Sequence, residues 1–339
     1  MIIDQDTAAT ILAAQEARRA ERRRFLRLAG GATAVAGSLA LLSACGSDDD
    51  DDDTPSPTPS PSPTATASTG QQEADALNFA LNLEYLEAQF YAYAATGVGL
   101  SADLISGTGT AGAVTGGRAV TFADPIVGAY AREIAADERA HVAFLRSVLG
   151  SAAVAQPAIN IDGGATGAFT AAARAAGLVG AAGTFDPYAS DENFLLAAYL
   201  FEDVGVTAYK GASSILIYTA GYQEATSGLL SAEAYHAGLI RTTLYQKGIA
   251  TPSLRTGADA ISEARDALDG TAATQDYDQG ISGTATAANI TPADTNGLVF
   301  SRSPAQVLNV VYLNRAAVSA GGFFPAGVNG NVKTSAANG

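Results

Sequence analysis

Apolar residues recur in steps of four and three at four places along this 339-residue chain, which is the period of a helix face rather than of a strand. The first run, about 72 to 96, lines up Leu77, Leu81, Glu84, Ala88 and Tyr91. The second, about 123 to 149, lines up Val127, Ala131, Ile134, Glu138, His141, Leu145 and Val148. A third, about 190 to 217, carries Leu195, Ala198, Glu202, Gly205, Tyr209, Ala212 and Leu216, and a fourth, about 228 to 247, carries Leu229, Glu233, His236 and Ile240. Such seams are the inward faces of an antiparallel helix bundle. Each seam is interrupted by a glutamate.

Two of those glutamates are followed three places later by a histidine, in "ADERAHVAFL" (136 to 145) and "SAEAYHAGLI" (231 to 240). Residues spaced i, i+3 stand on one helix face. The chain has only 2 histidines, and both fall in a Glu-x-x-His frame. With the chain's glutamate content, chance would place both there about once in a thousand sequences, which lifts a short motif above its usual false-positive rate. A lone seam glutamate reads as a mis-phased surface residue; four converging from four helices do not. Four carboxylates and two neutral imidazoles balance two divalent cations in charge, and oxygen with nitrogen donors suits iron or manganese. Left without metal, the same carboxylates would cost several kcal/mol each or share protons as a vestigial site. Glu87, three places after Glu84, falls off the seam that ends in Tyr91 and replaces Glu84 only if the helix phase shifts. Glu133, Asp137 and Asp203 are expected to face solvent or pair with arginine.

The connections narrow the fold to one bundle. A glycine-rich loop joins the first two helices, and little joins the third to the fourth. Between the second and third lie some forty residues, 150 to 190, with a small helix near 167 to 177. One long crossover there predicts an all-α, ferritin-like four-helix bundle over 71–250. Residues 251–339 form an extension packed on the bundle, with short helices over 258 to 270 and about 304 to 318, the latter started by Ser303 as N-cap and Pro304. The tail "GGFFPAGVNG" is turn chemistry, and Phe323 and Phe324 are expected to cap the bundle.

The N-terminal 70 residues read as address and tether rather than fold. Arg22 and Arg23, ahead of Phe25 and Leu26, resemble a twin-arginine export signal, and the apolar stretch from 28 to 42 is too short to span a bilayer. "LSAC" ends it like a lipobox, so 1–44 is expected to be removed and Cys45, the only cysteine, to carry lipid. Residues 45–70, with their Asp run and alternating prolines, make a spacer unable to bury enough surface to order itself. The protein is then expected to be exported and membrane-anchored, facing periplasm or cell exterior. Net charge is −15, which argues against nucleic acid as a partner.

"LNLEYLEAQFYAYA", "DPIVGAYAREIAADERAHVAFLRSVLG", "FEDVGVTAYKGASS" and "AEAYHAGLIRT" resemble helices of the ferritin-like superfamily, and more narrowly of the desiccation-related proteins of plants and bacteria. The likeness covers roughly 73 to 250, and the tail resembles the narrower family as well. It implies two Fe or Mn ions, with Glu138 and Glu233 bridging, Glu84 and Glu202 closing the ends, and His141 and His236 giving one nitrogen each. That is the ligand pattern of ferritin-like di-metal proteins as a class, carried over by resemblance. Tyr91 and Tyr209, each seven places after a seam glutamate, would orient ligand carboxylates. The chemistry implied is redox work on peroxide or dioxygen, catalase-like or ferroxidase-like. No Cys-x-x-Cys exists for a built-in rubredoxin-type donor, which favours peroxide disproportionation, a cycle that needs no outside reductant. The other reading is a non-enzymatic protein that protects the envelope during water loss, with a structural or vestigial metal site. A homo-oligomer is compatible with both.

Overall fold

A computed structural model describes residues 68–219, 221–270 and 276–338. Arg22, Arg23, Cys45 and the spacer up to residue 67 lie outside the described residues. Four long helices carry the four seams: α1 (Thr69–Thr96), α3 (Pro125–Leu149), α5 (Asp191–Ala212) and α6 (Tyr222–Ala250). Around them stand the short helices α2 (Ala102–Ile105), α4 (Ala168–Ala175), α7 (Ser253–Asp269) and α8 (Pro304–Val311). Local chemistry sets the ends. Ser68, Asp124, Ser190 and Ser303 accept backbone N–H bonds at the N-termini of α1, α3, α5 and α8, while Gly97 closes α1 in the left-handed conformation at φ +78°. At α8, Gln306 returns a bond to Ser303 and completes a capping box.

Cross-helix contacts fix the directions. Asn78 reaches Ala152 while Tyr85 meets Arg146, so α1 and α3 run antiparallel. Lys247 meets Asp124 on α3's cap and Glu192 on α5, so α6 is antiparallel to both. Helices α3 and α5 are thus parallel, and the chain between them must cross the length of the bundle. That crossover carries α4, as expected, and also the strand β2 (Ile159–Ile161). It pairs parallel with β1 (Val114–Gly116) from the α1–α3 connection, Val114 opposite Ile159. The two connections approach closely: a Cβ on Gly112 would sit 2.1 Å from the Ala158 nitrogen.

The core is rich in aromatic rings. Phe90 stacks on Phe194 at 5.6 Å between centroids, and Phe323 from the tail packs edge-on against Phe169 (5.1 Å) and Phe201 (4.9 Å). Phe323 and Phe324 are both buried, so the tail does cap the bundle. Three buried arginines anchor the rest of the extension. Arg241 and Arg265 bind Asp203 at 2.7 and 2.8 Å, and Arg302 binds Asp269 and Asp278, each at 2.7 Å. Helix α7 starts at Ser253, five residues before the expected 258. Helix α8 ends at Val311, short of the expected 318, because Leu313 turns left-handed (φ +53°) and the Val311 carbonyl accepts from Phe323 instead. Among the described residues no helix is long and apolar enough to cross a membrane.

Since Phe323 fills a space walled by Phe169 and Phe201, Phe323→Ala is expected to cost about 3–5 kcal/mol, read as a lowered midpoint in chemical denaturation.

Candidate metal centre

Steps of four and three bring Glu84, Glu138, His141, Glu202, Glu233 and His236 to one level of the bundle, and all six are buried. One donor atom from each of Glu84, Glu138, His141 and Glu233 lies within 4.8 Å of the others, and so do single atoms of Glu138, Glu202 and His236. Glu138 belongs to both groups and Glu233 to one. His141 Nδ1 stands 3.2 Å from Glu84 Oε2, 3.5 Å from Glu138 Oε2 and 3.6 Å from Glu233 Oε1. His236 Nδ1 stands 3.0 Å from Glu138 Oε1 and 3.6 Å from Glu202 Oε2. The two imidazole rings lie nearly parallel, 6.1 Å apart.

Tyr91 and Tyr209 are where the seam places them, but their partners are exchanged between helices. Tyr91 on α1 donates to Glu202 Oε1 on α5, and Tyr209 on α5 donates to Glu84 Oε1 on α1. Each bond leaves the second oxygen of its carboxylate aimed into the cluster. Glu233 lies against Gly205, where any Cβ would come within 2.1 Å of its Oε2. Among the described residues, buried side-chain atoms without a hydrogen-bond partner are Glu84 Oε2, both oxygens of Glu138 and of Glu233, Glu202 Oε2, both histidine Nδ1 atoms, and the Nε of Arg241 and Arg265. All but the two arginine atoms face this cluster. Buried polar atoms are ordinarily hydrogen-bonded, and these meet only one another, an arrangement that could hold a cation.

A family model described as a ferritin-like domain matches residues 72–246. The chain belongs to the ferritin-like family. Within it, the chain is 30% identical over 252 residues to a desiccation-related protein, PCC13-62, of Craterostigma plantagineum, covering 70% of this chain and 77% of that protein. It is 28% identical over 277 residues to a ferritin-like catalase, Nec2, of Nesocodon mauritianus, covering 77% of this chain and 85% of that one. No solved structure matches.

In this ferritin-like centre, the electrostatics follow from crowding acids where water is excluded. Burial raises Glu84 to about 7 and Glu202 to about 8, with His141 and His236 respectively opposing the rise. Burial and the neighbouring carboxylates raise Glu233 well above its ordinary range. Burial works against Glu138 too, but the two imidazoles beside it hold it below the usual carboxylate range. For the histidines, burial lowers and the carboxylates win: His141 is pushed up to about 11 and His236 to about 10.

Glu87 is buried at 7% exposure and not turned away from the cluster, contrary to its phase on the seam. The wide buried face of α1, which includes Asn82, Glu84, Leu86, Glu87 and Gln89, explains this: the helix is covered on nearly all sides, so a one-stripe reading underestimates it. Burial, then Glu138, Glu202 and Glu84, push Glu87 well above the usual range. Asp203 pairs with arginine and Glu133 is exposed, both as expected. Asp137 does neither; it is half-buried, with Oδ2 3.5 Å from His236 Nε2.

The metal-free protein should therefore weaken with rising pH. Glu84 and Glu202 hold protons up to about 7 and 8 when folded, whereas unfolded carboxyls lose them near 4.5, so ionising them costs stability across that interval. The histidines add stability that is complete below 6.5 and is lost as pH rises towards 10 and 11. Melting temperature of chelator-treated protein is expected to fall steadily from about pH 5 to about pH 9, and added Mn(II) or Fe(II) should offset the fall by displacing the protons.

Proposed function

We propose that this chain holds two iron or manganese ions between α1, α3, α5 and α6 and uses them to disproportionate peroxide, from a domain tethered outside a membrane. The observation that carries the reading is the set of eight unpartnered oxygen and nitrogen atoms converging from four helices. Their chemistry fits: four carboxylates and two imidazoles would neutralise two divalent ions. The name of one relative, ferritin-like catalase, supports the choice of substrate.

Glu138, common to both donor groups, would be shared between the two ions in this reading, with Glu233 beside it. Glu84 and Glu202 close the ends, and Tyr209 and Tyr91 hold their outer oxygens in place. His141 and His236 supply nitrogen through Nδ1. Two redox-active ions held there would supply two-electron chemistry, so that one peroxide is oxidised to dioxygen while another is reduced to water. A cycle closed on peroxide alone also suits a chain with one cysteine, which offers no thiol pair as reductant.

Tethering rests on Arg22, Arg23 and the "LSAC" run ending at Cys45. Lipid on Cys45 would fix the bundle to an envelope membrane facing periplasm or cell exterior, at the end of a Pro-rich spacer.

Metal analysis of the purified protein is expected to return roughly two Fe or Mn per chain, lost in Glu138→Ala and His141→Ala, with one dioxygen released per two peroxides consumed. Dioxygen uptake with Fe(II) instead would make it a ferroxidase. Absence of metal together with unchanged melting of both variants would favour a protective, non-enzymatic bundle, in keeping with the relative named desiccation-related. Cys45→Ser is expected to move the protein from the membrane pellet to the soluble fraction.

A further inference from the structure

Between α3 and α6 the bundle is open. A cleft of about 630 Å3 runs inward there, walled by Glu133 and Asp137 on α3 and by Tyr235, His236, Gly238 and Thr242 on α6. Glu133 and Asp137 are one turn apart, so they stack along one face of α3. Burial deepens in order: Glu133 is exposed, Asp137 half-buried, and His236 and Glu138 buried. None of the residues lining the cleft is Lys or Arg, and its outer charges, Glu133 and Asp137, are both acidic.

At the foot of the cleft His236 has two different edges. Nε2 lies 3.5 Å from Asp137 Oδ2, while Nδ1, without a hydrogen-bond partner, lies 3.0 Å from Glu138 Oε1. A cation moving inward meets Glu133, then Asp137, then the His236 imidazole at the edge of the donor cluster. Peroxide, small and neutral, needs neither this width nor this charge. A divalent ion needs both, because it arrives hydrated and must exchange water for carboxylate oxygen in steps.

We propose that the α3–α6 cleft is the loading route for divalent cations, with Glu133 and Asp137 as successive relay carboxylates that pass the ion to His236 and Glu138. The inference rests on the cluster being a metal site, and its test separates the two claims. Chelator-stripped full-length protein is mixed with Co(II), whose visible absorption intensifies on coordination, and the uptake rate is followed alongside final cobalt content.

Glu133→Gln removes only a solvent-exposed charge; it should slow uptake several-fold and flatten its dependence on salt, while final cobalt content stays at the wild-type level. Glu133→Gln/Asp137→Asn should slow it by about tenfold or more, since it removes both carboxylates that would draw a cation inward. Gly238→Phe is a plug without a charge change: a Cβ there meets nothing within 4 Å, so the helix accepts the ring and the cleft narrows. It too should slow uptake, whereas Glu263→Gln, exposed on α7, should not. Wild-type uptake rates in either Glu133→Gln or Gly238→Phe, with cobalt still filling the site, would overturn the route and leave the site intact. Failure of the wild-type protein to take up cobalt at all would remove the site and the route together.

Discussion

The structure depends on how a crowd of acids is kept out of water. Glu84, Glu87, Glu138, Glu202 and Glu233 lie within one level of a helix bundle, each at 7% exposure or less. Burying a charge costs several kcal/mol unless something of opposite sign meets it. Without metal that something is the proton: Glu84 and Glu202 shift to about 7 and 8, and the histidines to about 11 and 10. Glu84, Glu202, His141 and His236, whose proton affinity is raised, each also carry an atom left without a hydrogen-bond partner. Protons fill that need in the metal-free cluster, and a bound cation, as proposed, would fill it in their place.

Other features serve that arrangement. Gly205 leaves the space that the Glu233 carboxylate fills. The exchanged tyrosines tie α1 to α5 at two points and hold two carboxylates by their outer oxygens. The C-terminal extension acts at one remove. Asp203 adjoins Glu202 in sequence, and its charge raises Glu202 further. Arg241 and Arg265 meet that charge at 2.7 and 2.8 Å, and Arg241 stands on α6 five places after His236. Arg265 continues to Asp278 at 2.5 Å, and Arg302 links Asp278 to Asp269. Three arginines balance three aspartates in this network, which joins α5, α6 and α7 to the segment beyond. The extension therefore both fixes the spacing of two ligand-bearing helices and neutralises the acid that adjoins Glu202.

The helices and the six converging side chains were legible in sequence because seam periodicity is set by a single-stripe burial rule, and Glu-x-x-His stays on one stripe. What was not legible depends on contacts between distant segments. That Tyr91 serves Glu202 rather than its own helix's Glu84 follows from the antiparallel register of α1 and α5, which a single strand of sequence does not carry. Glu87, off the seam, is interior as well because α1 is buried on nearly all sides, yet it joins neither donor group. The pairing of Val114 with Ile159 involves strands of three residues, too short to show a period of two. Helix α8 stops at Val311 because the tail returns to take its carbonyl, an event 12 residues further along the chain.

The repeated Glu-x-x-His frame suggests two equivalent halves, and the inner atoms nearly keep that symmetry: parallel imidazoles, and tyrosine bonds in mirror-related positions. The surroundings break it. His236 is backed by Asp137 at 3.5 Å and opens on a cleft, whereas among the described residues no carboxylate backs the outer edge of His141. Glu138 reaches both donor groups, but Glu233, its counterpart on α6, reaches only the one containing His141. A carboxylate behind a histidine makes its inward nitrogen a stronger donor and fixes its ring. The two ends of the cluster therefore differ in donor number on one side and in donor strength on the other. A disproportionation asks one peroxide to be oxidised and another reduced, and unequal ends fit that division of labour better than a perfectly symmetric pair.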